Sequence, residues 1–161
     1  MKPTVAILMG SDSDSEQLKP CGEILREFGV PFIAKVLSAH RTPKETIAFA
    51  ESAKKEGIRV FICAAGGAAH LAGVVAAHTD LPVIGIPIET YSLKGIDSLL
   101  STTQMPAGVP VATTAIGAGG VKNAAFLAVR ILALGSTQLA KDLADYRNSN
   151  RKKILSKKVT L

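Results

Sequence analysis

The sequence predicts a single α/β domain built on a three-layer, doubly wound parallel sheet of five strands, with one extra helix at the C-terminal end. Short apolar runs without polar alternation are typical of strands that are buried on both faces of a parallel sheet. These runs alternate with segments of helical pattern, which is typical of α/β folds. The 161 residues are 47% hydrophobic but only 4% aromatic, with no tryptophan. This composition favours helices packed closely on a sheet over an aromatic-rich β-sandwich, and the length suits one domain.

Five apolar runs are expected to form the strands. They lie at about residues 5–9, 32–37, 60–64, 81–86 and 111–116. Because helical segments separate them, we expect parallel pairing in a doubly wound sheet of the flavodoxin-like type.

Capping residues, prolines and glycines mark the ends of the helical segments. We expect helices from the capping residues 11–14 to about 28, and at 43–57, 68–77, 96–102 and 122–134, with turns at 65–67 and 117–120. The stretch that contains Pro87 and Gly95 is expected to be irregular. Pro20 is expected to kink the first helix or to delay its start. Pro43 suits the first turn of the second helix, and Gly57 suits its end.

The segment after Gly135 predicts an additional helix, so we divide the domain 1–161 into a body and a helical extension, 136–161. An apolar stripe runs along one face of this helix, formed by Leu139, Leu143, Tyr146 and Ile154. The sheet is already complete before this helix begins, and the stripe has no obvious place in the core of one subunit. We therefore expect the extension to contact a neighbouring subunit in preference to its own.

The net charge of +6 is concentrated at the C-terminal end. Six of the 19 basic residues lie at or after Arg147, where the chain has no acidic residue. The chain before Arg147 therefore has equal numbers of basic and acidic residues. Charged runs usually face water, and no aromatic residues are interleaved here for stacking on bases, so we expect no nucleic-acid partner.

The cysteines and the hydropathy pattern argue against several other classes of protein. Cys21 and Cys63 are far apart, without a CxxC spacing or a histidine at ligand spacing, so we expect no disulfide and no metal site. No apolar run approaches transmembrane length, and residues 4–9 are too few for the core of a signal peptide. We therefore expect a soluble, cytoplasmic protein without a membrane partner.

Polar residues follow the first three predicted strands, at the edge where a doubly wound sheet binds its ligands. They are Ser11, Ser13 and Asp14, then Ser38, His40 and Arg41, then Gly66, Gly67 and His70. Hydroxyls, free backbone N–H groups and an arginine are the groups that bind a phosphate monoester. His40 is the only obvious proton carrier close to them. A dinucleotide site is poorly supported, because the chain has no G-x-G-x-x-G segment.

Most of these residues also have a purely structural interpretation. Residues 11–14 form an ordinary capping sequence, and Gly66 with Gly67 permits a tight turn. His70 would then be a hydrogen-bonded structural histidine, and His78 a capping or surface residue. His40, which stands beside an arginine, is the hardest of them to explain in this way.

Four segments closely resemble the signature segments of the 5-(carboxyamino)imidazole ribonucleotide mutase family. They are Gly-Ser-Asp-Ser-Asp at 10–14, Ser-Ala-His-Arg-Thr-Pro at 38–43, Ala-Gly-Gly-Ala-Ala-His-Leu at 65–71, and 97–111 with Asp-Ser-Leu-Leu-Ser and Gln-Met-Pro-Ala-Gly-Val-Pro-Val. They follow the family's order between about Val5 and Leu134. The second segment resembles the mutase branch more than the branch that carboxylates aminoimidazole ribonucleotide directly with carbon dioxide.

The resemblance implies a single catalytic domain of purine biosynthesis that works without cofactor or metal. The family moves a carboxylate from the exocyclic nitrogen of a nucleotide to carbon 4 of its imidazole ring, by decarboxylation and recapture of the carbon dioxide. By resemblance, His40 protonates the departing nitrogen and later takes the proton from the ring carbon. The resemblance also implies a homo-oligomer, specifically an octamer, that is functionally coupled to the ATP-dependent synthetase that makes its substrate.

The resemblance further assigns the substrate-binding residues. The phosphate contacts match Ser13, Ser38 and Arg41, and the ribose contact matches Asp14. The pocket for the migrating carboxylate matches Ser11 and the turn with Gly66, Gly67, His70 and Leu71. Ala39 completes the expected substrate-binding set.

Two alternative functions stay open on the sequence alone. One is a carboxylase that acts directly on aminoimidazole ribonucleotide and carbon dioxide. The other is a regulator that binds a sugar phosphate without catalysis, which would use the same serines and Arg41 but would not need His40.

Overall fold

The computed structural model describes residues 2–160, which form one parallel sheet covered by helices on both faces. Its strands are β1 (Val5–Met9), β2 (Phe32–Val36), β3 (Val60–Gly66), β4 (Val83–Ile88) and β5 (Ala112–Thr113). Its helices are α1 (Ser15–Glu27), α2 (Pro43–Glu56), α3 (Leu71–Ala77), α4 (Ile96–Thr103), α5 (Ala118–Ala133) and α6 (Thr137–Leu155). A single 3-10 turn, Asp12–Asp14, precedes α1.

The strands are all parallel and lie in the order β2-β1-β3-β4-β5. The chain moves from β1 to β2 on one side, then crosses back to β3 on the other side of β1. The order therefore reverses at β1 and β3, which is the point where open α/β sheets bind their ligands. The predicted doubly wound, flavodoxin-like fold is confirmed, and the loops after β1, β2 and β3 meet at the reversal.

Helices on both faces divide the core into two parts, because alternate residues of a strand point to opposite faces. On one face Val5, Ile7 and Met9 of β1 pack with α1 and α5. On the other face Ala6 and Leu8 pack with α2 and α3. All five side chains are buried, which explains why β1 is a continuous apolar run.

Each part of the core contains one free cysteine. Cys21 lies in the part formed with α1, and Cys63 in the part formed with α2 and α3. Burial raises the pKa of the Cys21 thiol to about 12, and it raises the pKa of Cys63 as well. Both thiols therefore stay protonated near neutral pH and pack as small apolar side chains.

The glycines at 117–120 begin a helix, so the prediction of a turn there is wrong. The helix α5 starts at Ala118, four residues before the predicted start, with Gly117 at its N-cap. Gly120 is needed inside the first turn because a methyl group at this position would overlap the Ala115 carbonyl. Tertiary contact, which a local pattern does not show, decides this boundary.

Three other boundaries also differ from the prediction. The first helix starts at Ser15, directly after the 3-10 turn, and continues through Pro20, so this proline does not delay its start. The helix α3 starts at Leu71 and leaves residues 67–70 as a loop. The fifth strand is only Ala112–Thr113, shorter than predicted.

Pro87 lies inside β4, where the sequence predicts an irregular stretch. The Gly85 carbonyl accepts a hydrogen bond of 2.9 Å from the Thr114 N–H, so Gly85 faces β5. Pro87, two residues later, faces the same side, but β5 pairs only with Ile84 and Gly85. The N–H that proline lacks would therefore have no strand to meet, which is why the strand tolerates it.

The first part of α6 covers its own subunit, although the sequence favours a neighbour. Three residues of the predicted stripe pack against this subunit's core: Leu139, Leu143 and Tyr146. The Tyr146 ring lies 4.9 Å from the Phe126 ring and 5.8 Å from the Phe28 ring, measured between centroids. Ile154, the fourth residue of the stripe, is 60% exposed, and contact of this end with a neighbour stays a prediction.

The basic residues of the C-terminal end are all exposed as far as residue 160. Within residues 2–160, no helix is both long enough and apolar enough to span a membrane.

Candidate active site

A cavity of about 360 Å³ opens where the loops after β1, β2 and β3 meet. Nine of the eleven predicted site residues line it: Ser11, Asp14, Ser38, Ala39, His40, Arg41, Gly66, His70 and Leu71. The other two, Ser13 and Gly67, stand next to lining residues but face elsewhere, as described below. The topology thus brings together three segments that are distant in the sequence.

Two histidines from different loops are in hydrogen-bond contact in this cavity. His40 Nε2 and His70 Nδ1 are 2.8 Å apart, and their rings are nearly perpendicular, at 81°. A hydrogen bond between two imidazoles needs an N–H on one nitrogen and a lone pair on the other. One of the two rings therefore donates this hydrogen bond and the other accepts it, and the tautomers decide which.

Arg41 is held in place by two contacts behind its guanidinium group. Its Nη2 donates a hydrogen bond to the Gly10 carbonyl, and its Nε donates to Ser38 Oγ at 3.4 Å. Ser38 is buried and also accepts the backbone N–H of Arg41 at 3.2 Å. Of the five N–H donors of a guanidinium, three are left for an anion in the cavity.

The loop that carries both His40 and Arg41 is braced by hydroxyl groups at the start of α2. The Ser38 N–H donates to Thr42 Oγ1 at 2.8 Å, and the buried Thr46 hydroxyl donates to the Thr42 carbonyl at 2.8 Å. These bonds connect residues four apart, so the spacing of the polar residues produces the brace locally. The two threonines support the loop and were not identified from the sequence.

The loop after β1 supplies hydroxyls and one carboxylate. The Ser13 hydroxyl donates to Ser11 Oγ at 2.8 Å, and Ser11 caps the 3-10 turn by accepting the Ser13 N–H. Burial raises the pKa of Asp14 above its usual value, while the Ser13 hydroxyl and the Arg41 charge act in the opposite direction. Asp14 is thus a partly desolvated carboxyl group that lies close enough to Arg41 to be affected by its charge.

Asp14 also lines a neighbouring groove of about 490 Å³. Ser13 lines this groove and not the first cavity, together with Gln17, Ile88, Glu89, Thr90, Tyr91 and Lys94. Because Asp14 borders both spaces, an elongated ligand can extend from one into the other past its carboxylate.

Three residues of the turn after β3 line the cavity: Ala68, Ala69 and His70. Gly67 adopts the left-handed conformation, with φ at +66°, which favours glycine. Its own N–H is engaged away from the cavity, donating to Ser98 Oγ at 2.8 Å. The next three residues, 68–70, donate no backbone hydrogen bond to any acceptor within residues 2–160. The available donors of this turn therefore follow Gly67 in the chain.

Ser98 and Ser101 of α4 are connected to this turn and were not identified as site residues from the sequence. Ser98 lies against the Gly67 N–H, and Ser101 Oγ lies 3.2 Å from the Gly67 carbonyl oxygen. Their spacing of three residues on one helical face is the signal that could have indicated a common partner. In the part of the chain from residue 2 to residue 160, no three histidine, cysteine, aspartate or glutamate side chains are grouped so that they could hold a metal ion.

Comparisons with known proteins agree with the four segments noted in the sequence. A family model described as AIR carboxylase matches residues 4–153. The N5-carboxyaminoimidazole ribonucleotide mutase of Saccharolobus solfataricus is 52% identical over 154 residues, which cover 96% of each chain. The mutase of the same name from Bacillus subtilis is 51% identical over 155 residues, again 96% of each chain.

Among solved structures, Treponema denticola PurE has the same fold over nearly the whole molecule. It superposes with a TM-score of 0.85 and 30% sequence identity, covering 95% of this chain and 94% of that chain. The family match includes all three loops that line the cavity and the helix α4 behind them. The chain therefore belongs to the AIR carboxylase family.

Proposed function

We propose that this protein is an N5-carboxyaminoimidazole ribonucleotide mutase of purine biosynthesis, which converts its substrate to 4-carboxy-5-aminoimidazole ribonucleotide. Relatives that share about half of the sequence over 96% of the chain carry this name. The observation that carries the proposal is the cavity itself, where a histidine hydrogen-bonded to a second histidine stands next to an arginine held for an anion. The direct carboxylase and the non-catalytic regulator are not favoured.

The Arg41 side of the cavity binds the substrate phosphate in this proposal. Three free guanidinium donors and the Ser38 hydroxyl suit a dianionic phosphate, which accepts several charge-assisted hydrogen bonds. Ser13 adds a hydroxyl from the neighbouring groove, and Asp14, which borders both spaces, accepts from the ribose hydroxyls. Binding at this end anchors the nucleotide without touching the reacting atoms.

The turn that follows β3 holds the migrating carboxylate. The backbone N–H groups of residues 68–70 have no acceptor within the described chain, and Ser11 is another lining residue of the cavity. Such donors stabilise a carboxylate and can also contact carbon dioxide, which has few other features to bind. Leu71 and Ala39 add apolar walls that help to exclude water.

His40 transfers the single proton that the reaction needs. When the bond between the exocyclic nitrogen and the carboxylate carbon breaks, carbon dioxide forms and the nitrogen takes a proton from His40. Ring carbon 4 then attacks the carbon dioxide, and His40 removes the proton that this carbon carries. His70, at 2.8 Å, is the hydrogen-bond partner of His40 before the substrate binds. The proton returns to His40 and the carboxylate returns to the nucleotide, so the reaction balances without a cofactor.

The finer parts of the proposal concern the setting of the enzyme. We place it in the cytoplasm as a homo-octamer whose extension, 136–161, contacts a neighbouring subunit, with its substrate supplied by an ATP-dependent synthetase. The exposed apolar side chains at the end of α6, Ile154 and Leu155, support such a contact.

Replacing His40 with Asn tests the proposed role most directly. Asparagine keeps a polar side chain but cannot exchange a proton near neutral pH, so turnover should fall at least about a thousandfold while binding of a phosphate ligand persists. The matched control is His78→Asn, because His78 lies at the end of α3 beside Glu51 and outside the cavity. Turnover in His40→Asn equal to that of the control would contradict the role of His40.

The choice between mutase and carboxylase is tested by offering each substrate separately. Wild-type protein should convert the N-carboxylated nucleotide rapidly at low bicarbonate. Efficient turnover with aminoimidazole ribonucleotide and carbon dioxide alone, and none with the N-carboxylated nucleotide, would show that the carboxylase alternative is correct.

A further inference from the structure

The end of the β3–β4 ladder is interrupted by a hydroxyl group from α4. The strands pair from Phe61 opposite Val83 to Gly66 opposite Ile88, and the Phe61 N–H donates to the Pro82 carbonyl at 2.9 Å. Continued with the same spacing, this pattern would next join the Gly67 N–H to the Ile88 carbonyl.

Ser98 Oγ occupies the place of that missing hydrogen bond. It accepts the Gly67 N–H at 2.8 Å and donates to the Ile88 carbonyl at 2.6 Å. Its side chain is fully buried, so both bonds are formed away from water. The hydroxyl separates two strand ends that would otherwise close on each other, and Gly67 turns there into its left-handed conformation.

A second serine of α4 contacts the other polar group of Gly67. Ser101 Oγ lies 3.2 Å from the Gly67 carbonyl oxygen, 2.8 Å from the Asp97 carbonyl oxygen and 3.3 Å from the Ser98 carbonyl oxygen. A single hydroxyl proton is shared among these acceptors, so Ser101 is the weaker of the two contacts. Together the serines hold both backbone polar groups of Gly67 against α4.

We propose that Ser98, assisted by Ser101, is a positioning residue that sets the turn 67–70 so that its free N–H groups retain carbon dioxide between the two steps of the reaction. This inference rests on the proposed function. Neither serine lines the cavity, so both act through the turn and not on the substrate. Without the Ser98 hydroxyl, the Gly67 N–H either loses its acceptor or closes directly on Ile88, and either change moves the donors that follow.

The predicted effect is on the chemical step and on carboxyl retention. A displacement of about 1 Å at a reacting centre costs about a hundredfold in rate, so kcat of Ser98→Ala should fall by about this factor. Its KM should stay within about threefold of wild type, because the phosphate is held on the Arg41 side. Ser101→Ala should change both readouts in the same direction by a smaller factor.

Carboxyl retention distinguishes positioning from a general structural role. Substrate carrying ¹³C in its carboxyl group is converted in unlabelled bicarbonate, and the fraction of product that keeps the label is measured by mass spectrometry. Wild type and the control Ser52→Ala should keep most of the label. Ser52 is also a helical serine with local hydrogen bonds, but it bonds to Phe49 and Glu56. Ser98→Ala should release labelled carbon dioxide and form product with less label.

Amide hydrogen exchange provides a readout that does not depend on turnover. Exchange of the Gly67 N–H, whose residue both serines hold against α4, should accelerate in both serine variants and stay unchanged in Ser52→Ala. A folded Ser98→Ala protein with wild-type kcat and label retention would overturn the positioning role. If Ser98→Ala does not fold, Ser101→Ala provides the test. Label retention and amide exchange in Ser101→Ala that equal those of Ser52→Ala would then overturn the positioning role. A wild-type protein that binds the N-carboxylated nucleotide without converting it would instead overturn the proposed function, and this inference with it.

Discussion

Exchange of Arg41 for lysine separates the shape of the anion-binding group from its charge. Arg41 uses two N–H donors on Gly10 and Ser38, which aims the rest of the planar group at the cavity. Lysine keeps the positive charge but cannot make both of these contacts and still present a planar pair of donors. The variant therefore loses directed hydrogen bonds to the phosphate while long-range attraction persists.

The size of the expected loss in kcat/KM follows from the number of hydrogen bonds to the phosphate that are lost. One hydrogen bond to a charged group contributes about 1.5–3 kcal/mol, which corresponds to about a 10- to 150-fold loss in kcat/KM. The phosphate is remote from the carbon and nitrogen that react, so its contacts stabilise the bound substrate and the transition state equally. The loss should therefore appear in KM, with kcat changed by less than about threefold.

Steady-state kinetics with the nucleotide and with its dephosphorylated nucleoside test this reasoning. On the nucleotide, the kcat/KM of Arg41→Lys should be about 10- to 150-fold lower than that of wild type. On the nucleoside, the two proteins should be equally slow, because the phosphate that Arg41 is proposed to contact is absent. Arg59→Lys is the matched control, since Arg59 is exposed at the opposite end of β3. An equal deficit on both substrates would refute the assignment of Arg41 to the phosphate.

Two further predictions concern stability. Tyr146→Ala should lower the free energy of unfolding by about 2 kcal/mol, less than the 3–5 kcal/mol of a fully buried aromatic residue, and lower Tm by about 4–8 °C, because Tyr146 packs on Phe28 and Phe126. Ile154→Ala on the same helix should change the free energy of unfolding of the monomer by less than about 0.5 kcal/mol. If the two substitutions had equal effects on thermal unfolding, the packing of α6 described above would be contradicted. Asp14→Asn should stabilise the fold at pH 7 while impairing activity, because burial raises the pKa of Asp14 and its ionised form is disfavoured in the folded state. The gain should disappear as the pH falls below 3.8, where the unfolded carboxyl is also protonated, and a gain that persists in acid unfolding curves would contradict this cause.

The fold and the position of the site follow from local patterns in the sequence. The run Val5–Met9 is apolar at every residue because helices cover both faces of the sheet, so it predicts a central strand with its bounds correct. Pro43 at the start of α2 and Gly57 directly after its end predict the bounds of this helix equally well. Since polar loops follow the first three strands, the reversal of strand order brings them to one edge. The cavity therefore lies where the sequence predicts it.

Contacts between distant segments account for what the sequence did not reveal. Gly120 belongs to the first turn of α5 because the Ala115 carbonyl leaves no room for a side chain, but in the sequence it is one of several glycines near a turn. The apolar stripe on α6 indicates that this face packs against another apolar surface. Only the structure shows that Phe28 and Phe126 form part of that surface. The Ser98 contact with Gly67 likewise joins residues 31 positions apart.

The different partners of His40 and Arg41 explain how adjacent residues in one loop can have separate tasks. Arg41 is bonded to the loop after β1 and to Ser38 of its own loop, whereas His40 is bonded to His70 in the loop after β3. The arginine is thus anchored by one backbone carbonyl and one buried serine hydroxyl. The histidine contact is a single bond between two exposed rings, which an incoming substrate can replace. A reaction in which the carboxylate leaves and returns requires this division, because the rest of the nucleotide must stay in place while a proton moves. In the proposed roles, a firmly held Arg41 at the phosphate and an exchangeable contact at His40 satisfy both conditions.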